Sequence, residues 1–230
     1  MNAGQPPLRP AAPVGVAARQ ALVEAALEAF GRQGFDSATT RAIAGAAGMP
    51  MSQITYHFGG KEGLYLACAQ FIADYAAGQI GPVMQAVAAD MAALGAAPPP
   101  QRAREGLRRL LCGVAEAILA PRARHFARFV LREQAEPTAA FAVLYNAIMG
   151  PLLGLVAQLL AQAGVATGAE ARLRALALVG QVLVFRTGHA AVMAFTGWDE
   201  IGPDELAAIQ HTIAAHVAAL TGPLGREAEQ

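Results

Sequence analysis

The sequence predicts an all-α fold, a small N-terminal three-helix domain containing a helix-turn-helix, followed by a larger helical bundle. Three observations carry this. Ala, Leu, Arg and Gln are abundant, whereas β-branched residues are sparse and aromatics make up only 6% of the 230 residues, a mixture that favours helix nearly everywhere. Apolar residues recur at spacings of three and four in the long segments, and no strand-type alternation of useful length appears. Gly and Pro punctuate residues 34–60 at short intervals and the chain beyond Gly81-Pro82 more widely, so the second and third helices are short.

The first helix is expected over 16–33, where Leu22, Val23, Ala26, Leu27 and Phe30 recur at helical spacing. Gly34 supplies its stop and Phe35 tucks the turn back. Thr39 is a good N-cap for a short second helix reaching Ala47, with Ile43 and Ala47 on its inner face. Gly48 breaks that helix, and Pro50 suits the first turn of a third one ending near Phe58, at Gly59-Gly60. A fourth is expected over 61–79, carrying Leu64, Tyr65, Cys68, Phe71, Ile72 and Tyr75 on one stripe and ending before Gly81-Pro82. After a loop at Pro98-Pro99-Pro100, helices are expected over 102–119, 122–135, 138–163, 169–195 and 203–220. The expected domains are an arm at 1–15, a helix-turn-helix domain at 16–62, a second domain at 63–222 and a tail at 223–230.

Composition sets bounds on function. Formal net charge is zero, from 17 basic and 17 acidic residues, so any contact with nucleic acid must come from local geometry. The hydrophobic share is 55% and the mean hydropathy +0.36, enough for a large core. Cys68 and Cys112 lie far apart with no CxxC spacing and read as reduced cytosolic thiols. The five histidines show no metal-ligand spacing, and no cofactor motif is present. The Pro-, Gly- and Ala-rich arm lacks the apolar core of a signal peptide. The uncharged stretch after Glu136 is interrupted by Tyr145, Asn146, Gln158 and Gln162 and bent at Gly150-Pro151. A buried helix therefore fits it better than a membrane span of ~20 apolar residues.

A helix-turn-helix needs two short helices meeting through a tight turn, so that the second can enter the major groove. The stretch 39–58 meets that demand. Ile43, Ala44 and Ala47 are apolar or small enough for close packing, Gly48 takes the turn, and Ile54 and Phe58 pin the second helix. Ser52, Gln53, Thr55 and Tyr56 are left facing outward, able to reach base edges or phosphates. Ala38-Thr39-Thr40-Arg41-Ala42-Ile43-Ala44, Ala47-Gly48-Met49 and the run from Ile54 through Gly59-Gly60-Lys61-Glu62-Gly63-Leu64-Tyr65 together resemble the DNA-binding domain of TetR/AcrR repressors. The resemblance covers about residues 16–75. The later part more weakly resembles the CecR-like branch, through Leu131-Arg132-Glu133-Gln134-Ala135-Glu136-Pro137-Thr138 and Gly197-Trp198.

The resemblance implies a cytoplasmic, homodimeric regulator of transcription that binds double-stranded operator DNA and a small-molecule effector, and is not an enzyme. It implies DNA contacts from Thr39, Thr40 and Arg41 at the positioning helix, and from Met51, Ser52 and Gln53 entering the groove. Thr55, Tyr56 and His57 follow on the next turn, and Lys61 stands at the position that grips phosphate. Many relatives carry Lys or Arg where this chain has Met51, so its recognition helix is unusually uncharged. Lys61 is also the only lysine in the chain.

Other features admit two readings. The arginines at 122, 124, 128 and 132 resemble a nucleic-acid patch, but 124, 128 and 132 share a face opposite Phe126, Phe129 and Val130, as a solvated helix face would. Glu133 continues that apolar stripe, so its carboxylate needs a partner, either an arginine or an effector. Tyr145, Asn146, Arg186 and His189 are the remaining candidates for an apolar effector pocket. Between Ala175 and Phe185 only Gln181 is polar, which predicts a helix buried on all sides. Leu206, Ile209, Ile213, Val217 and Leu220 form one seam that serves either as core or as dimer interface. Two competing readings stay open: an all-helical small-molecule-binding protein, and an interaction adaptor without specific DNA binding. Against an enzyme stand the missing nucleophile-base set, paired carboxylates and phosphate loop.

Overall fold

The computed structural model describes residues 14–221, and among these every regular element is helical. The tail expected over 223–230, and the arm expected over 1–15 as far as residue 13, lie outside the described residues. The rest falls into two compact units, one ending at Cys68 and the other beginning at Ala69.

The first unit holds α1 (Val14–Ser37), α2 (Thr40–Ala46), α3 (Ser52–Phe58) and the opening turns of α4 (Lys61–Ala93). The first helix begins two residues before its expected start and is interrupted at Gly34, whose φ of 82° favours glycine. The Thr39 hydroxyl accepts the Ala42 N–H at 3.2 Å and caps α2, an arrangement worth about 1 kcal/mol. Leu22, Leu27, Phe30, Ile43, Ile54 and Leu64 are buried together in the sense the spacing required. Tyr65 meets Phe30 and Phe35 edge-on, with centroids at 4.9 and 5.0 Å, the favoured aromatic arrangement.

The second unit comprises the remainder of α4 with α5 (Pro100–Leu119), a 3₁₀ turn (Pro121–Ala123), α6 (Arg124–Ala135) and α7 (Ala139–Leu144). A π-helical segment (Tyr145–Met149), α8 (Gly150–Gln162), α9 (Gly168–Thr187), α10 (His189–Thr196) and α11 (Pro203–Thr221) complete it. Its core is built from α4, α5, α8, α9 and α11, with Leu107, Leu110, Leu111, Leu159, Leu178 and Ile213 among the most deeply buried side chains.

Four expectations are corrected here. The fourth helix does not stop near Gln79; it runs to Ala93 through Pro82. An interior proline costs about 3 kcal/mol, and burial of Val87 and Met91 beyond it offsets that loss. The long helix expected over 169–195 is instead two, turned by 79° at Gly188. The irregularity expected at Gly150-Pro151 takes the form of the π segment just before it, where the Gly150 N–H reaches back to the Tyr145 carbonyl. The α9 helix is buried on one face only: Ala171, Ala175, Leu178 and Val182 point inward, while Leu173 and Leu176 are 68% and 55% exposed. The stretch Ala139–Gln162 has the length and apolarity of a membrane span. Its Leu144, Leu152, Val156, Leu159 and Leu160 are buried, along one side rather than all round. The α11 seam resolves as core, since Ile209, Ile213 and Val217 are 1–3% exposed.

Candidate nucleic-acid interface and effector region

Two short helices joined through Gly48 form the first unit's distinctive surface. The turn is fastened by Met49 N–H to Ala44 carbonyl at 2.9 Å, and Gly48 adopts φ 67°. On α3, Ile54 is buried and Phe58 half-buried, four residues apart, with Arg19 stacked over the Phe58 ring at 5.2 Å. The opposite side presents Met51, Ser52, Thr55 and Tyr56, all exposed, Tyr56 to 80%. Gln53 and His57 form a half-buried row beside them, and the Tyr56 and His57 rings meet edge-on at 4.9 Å. Arg41 is exposed and Thr40 half-buried on α2, while the Thr39 hydroxyl is engaged as the cap.

Charge is arranged locally although the chain is neutral overall. Between Asp36 and Glu62 there is no carboxylate, while Arg41 and Lys61 fall in that interval. The segment that carries α2 and α3 therefore bears a net positive charge of its own without any global basic field. Lys61 donates from Nζ to the Asp36 carbonyl at 3.1 Å and lies over the Phe35 ring at 4.6 Å. Its ammonium is thereby held at the start of α4 instead of ranging freely.

Glycine at position 63 is a steric requirement that spacing alone does not reveal. A Cβ built there would lie 1.8 Å from the Phe58 carbonyl oxygen. The end of α3 is seated on the first turn of α4 so closely that only hydrogen fits, which fixes the recognition helix against its support.

The five effector candidates lie in the second unit. The Glu133 carboxylate accepts the Thr138 N–H and hydroxyl at 3.0–3.1 Å and so anchors the start of α7. Arg186 donates to the Ile118 and Ala120 carbonyls at 2.7 and 3.1 Å, satisfying the C-terminal end of α5. Burial, followed by the nearby Arg124 charge, pulls its pKa below the usual arginine value. Tyr145 stacks on Phe141 and, like Asn146, is exposed on the π segment. His189 is half-buried at the start of α10, with Nδ1 buried and, among the described residues, without a hydrogen-bond partner. Thr138 and the α5 carbonyls are the partners that spacing missed, because they lie five and more than sixty residues away. A cleft of about 800 Å³ between α4, α5 and α11, lined by Arg108, Arg109, Cys112, Glu116, Gln210 and His211, was also not foreseen.

The thiols yield a prediction. Cys68 is fully buried and burial pushes its pKa far upward; Cys112 is half-buried and also raised by burial, partly opposed by Arg108. The thiolate is the reactive species. In the native protein at pH 7.5 we expect a thiol-specific aryl disulfide to label both cysteines at least about tenfold more slowly than an unhindered thiol, with both becoming labelled on unfolding. Rapid oxidation coupled to loss of DNA binding would contradict this.

Comparison with known proteins agrees with this geometry. Residues 22–68 match the family model described as bacterial regulatory proteins, tetR family. Residues 103–223 match the C-terminal domain of the HTH-type transcriptional dual regulator CecR. The CecR regulator of Shigella flexneri is 36% identical over 210 residues, covering 88% of this chain and 91% of that protein. Among solved structures, a TetR-like transcriptional regulator from Rhodococcus sp. RHA1 superposes with a TM-score of 0.61 at 23% identity, covering 92% of this chain and all of that one. AibR, solved in complex with isovaleryl coenzyme A and operator DNA, gives 0.58 at 17% identity, over 86% and 97% of the respective chains. These two share the fold. With the helix-turn-helix of the first unit, the helical second unit and near full-length similarity to CecR, the chain belongs to the TetR family of DNA-binding transcriptional regulators, in its CecR-type branch.

Proposed function

We propose that the protein is a homodimeric repressor that grips a two-fold operator with one α3 from each protomer and is released by a small, largely apolar effector. The observation that carries this is the row of exposed Met51, Ser52, Thr55 and Tyr56 on a helix pinned through Ile54, within a stretch free of carboxylates. Met51 is suited to a thymine methyl, Gln53 to adenine and the hydroxyls of Ser52 and Thr55 to base edges or phosphate. Tyr56 and His57 reach backbone or base from the following turn, and Thr39, Thr40, Arg41 and Lys61 complete the contacts to the DNA backbone.

Two protomers meet, in this proposal, along α9 and α11. Leu173, Leu176, Gly180, Leu183 and Val184 make one outward apolar stripe on α9, opposite its core face. On α11, Ala208, Thr212, Ala215 and Ala219 offer an exposed row of small residues. Large side chains from one surface and small ones from the other suit a four-helix contact.

The effector seats, in this proposal, against the π segment, where Tyr145 and Asn146 offer polar atoms beside α7, whose start Glu133 anchors; Arg186 at the end of α9 and His189 at the start of α10 are the further candidates for polar contact. Uncovered apolar surface on Ala139–Gln162 supports an apolar ligand body. The ligand must bind the DNA-releasing conformation more tightly, since an indifferent one shifts nothing. The α4 helix has residues in both units and is the natural carrier of the change. A mobility shift on the promoter of the protein's own gene, repeated with compounds that raise its melting temperature, tests the reading. Apolar compounds should both stabilise the protein and dissociate the complex. Release only by charged ligands, whether acyl thioesters of coenzyme A, nucleotides or sugar phosphates, would overturn the apolar assignment.

Side-chain roles separate in DNA titrations. Lys61→Ala should weaken specific and random DNA alike and lower the salt slope by about 1. Gln53→Ala should instead blur preference at one base pair, losing ~1–3 kcal/mol if its contact is bidentate. Unchanged affinity and salt slope in the Lys61 variant would assign that residue to the Asp36 contact alone.

A further inference from the structure

The cleft between α4, α5 and α11 shares no lining residue with the DNA-contacting row or with the five effector candidates. The sequence of α5 gives it a polarity. Along one side of that helix run Arg108 and Arg109, then Cys112 and Gly113, then Glu116, all lining the cleft. At ~1.5 Å per residue the two basic positions stand about 10–12 Å from the acidic one along the helix axis. Gly113 makes the floor: a Cβ added there would lie 3.0 Å from Val83 Cγ1, so α4 and α5 close on each other at mid-cleft. Gln210 of α11 closes the far wall, its Nε2 donating to the Cys112 carbonyl at 3.2 Å. Asp90 meets Arg109 and Val83 meets Gly113, so α4 runs antiparallel to α5 and brings Gln79 to the acidic end. The cleft is basic at one end, apolar in the middle and acidic at the other.

The charges do not cancel within the cleft. Arg108 donates to Glu105 at 2.6 and 2.9 Å, and Arg109 to Asp90 at 2.5 Å. Both arginines line the cleft and neither carboxylate does, so each pair turns its positive member inward. Arg108 Nη1 and Arg109 Nη2 keep donors for a further acceptor. The Glu116 carboxylate has no ion-pair partner among the described residues. Charges that far apart at a wetted surface are largely screened from each other. One molecule carrying both complementary charges satisfies both ends.

We propose that this cleft is a second small-molecule site, for an elongated zwitterion whose carboxylate lies at Arg108 and Arg109 and whose ammonium lies at Glu116. Its apolar body rests on Val83, Cys112 and Gly113. Length and charge together form the filter, since an amphiphile with one charge leaves the other end unpaired. The site is independent of the effector proposed at the π segment. It bears on α4 at Pro82, itself in the lining, where the missing N–H removes the helical bond to the Gly78 carbonyl. A molecule bound there braces α4 against α5 at the turn least held by its own hydrogen bonds.

The full chain should be titrated calorimetrically with ω-aminooctanoic acid, octanoic acid, octylamine and γ-aminobutyric acid, and the series repeated on Glu116→Gln, a change at an exposed position. The zwitterion of matching length should bind at least about tenfold more tightly than each of the other three. Glu116→Gln should lower its affinity by about the same factor and leave that of octanoic acid unchanged. Saturating ω-aminooctanoic acid should also slow labelling of Cys112 by an aryl disulfide about threefold or more, because that thiol lies midway along the cleft. Equal binding of the zwitterion and either singly charged chain would show that the two ends do not act together. No binding at millimolar concentration, or binding to which neither Glu116→Gln nor Cys112 labelling responds, would equally overturn the site.

Discussion

Replacing Gly63 with alanine should abolish operator binding. The Cβ of the G63A protein would stand 1.8 Å from the Phe58 carbonyl oxygen, far inside any tolerated contact, and the obstacle is backbone rather than a side-chain end that could swing aside. The end of α3 must then lift off the first turn of α4. That displaces Ile54 and Phe58, which pin the recognition helix, and disturbs Lys61 at the same turn. We expect about 3 kcal/mol of lost stability in the first unit, at the upper end of overpacking effects. Thermal unfolding followed by circular dichroism should show an earlier transition, with the second unit still helical. A G63A protein that binds the operator with natural affinity would contradict this account of how α3 is held.

The second large effect is expected from Leu176→Glu. Leu176 lies near the middle of the α9 stripe, 55% exposed and therefore dispensable to the protomer's own core. In the proposed dimer a carboxylate there is buried twice, once from each copy, against apolar neighbours. Such a change should cost about 3 kcal/mol or more of association free energy, roughly a hundredfold in dissociation constant. The variant should sediment as a folded monomer, and its operator affinity should fall in step, because two weakly held half-site contacts no longer act together. A variant that remains dimeric and fully active would place the interface elsewhere.

Much of this architecture was legible from the chain. The first unit was read element by element because its boundaries carry local chemistry: the Thr39 cap, the positive-φ glycines at 34, 48 and 59, and the apolar set Leu22, Leu27, Phe30 and Ile54. The second unit was less legible where the deciding partner is remote in sequence. Periodicity marks Leu176 and Leu178 alike as apolar, but cannot distinguish a residue facing its own core from one left outward. For the same reason the α11 seam was ambiguous until α5 was seen to cover it. Pro82 was read as a terminator because its local cost is evident, whereas the burial of Val87 and Met91 that offsets it depends on tertiary packing. Gly188 lacked any neighbouring proline or cap to announce a turn. At the site, the outward row of α3 followed from Ile54 and Phe58. The close seat at Gly63 and the Asp36 carbonyl beneath Lys61 depend on how α4 meets the preceding helices.

In the proposed dimer two copies of α3 read one symmetric operator. The most direct measurement is a nuclease footprint on the promoter of the protein's own gene, combined with the stoichiometry of the complex in a mobility shift. A two-fold dimer should protect two inverted half-sites centred one helical turn apart, ~34–36 Å, or a multiple of it. Tyr56→Ala should weaken protection of both halves together. Protection of a single asymmetric half-site by one protomer, at full affinity, would contradict the account.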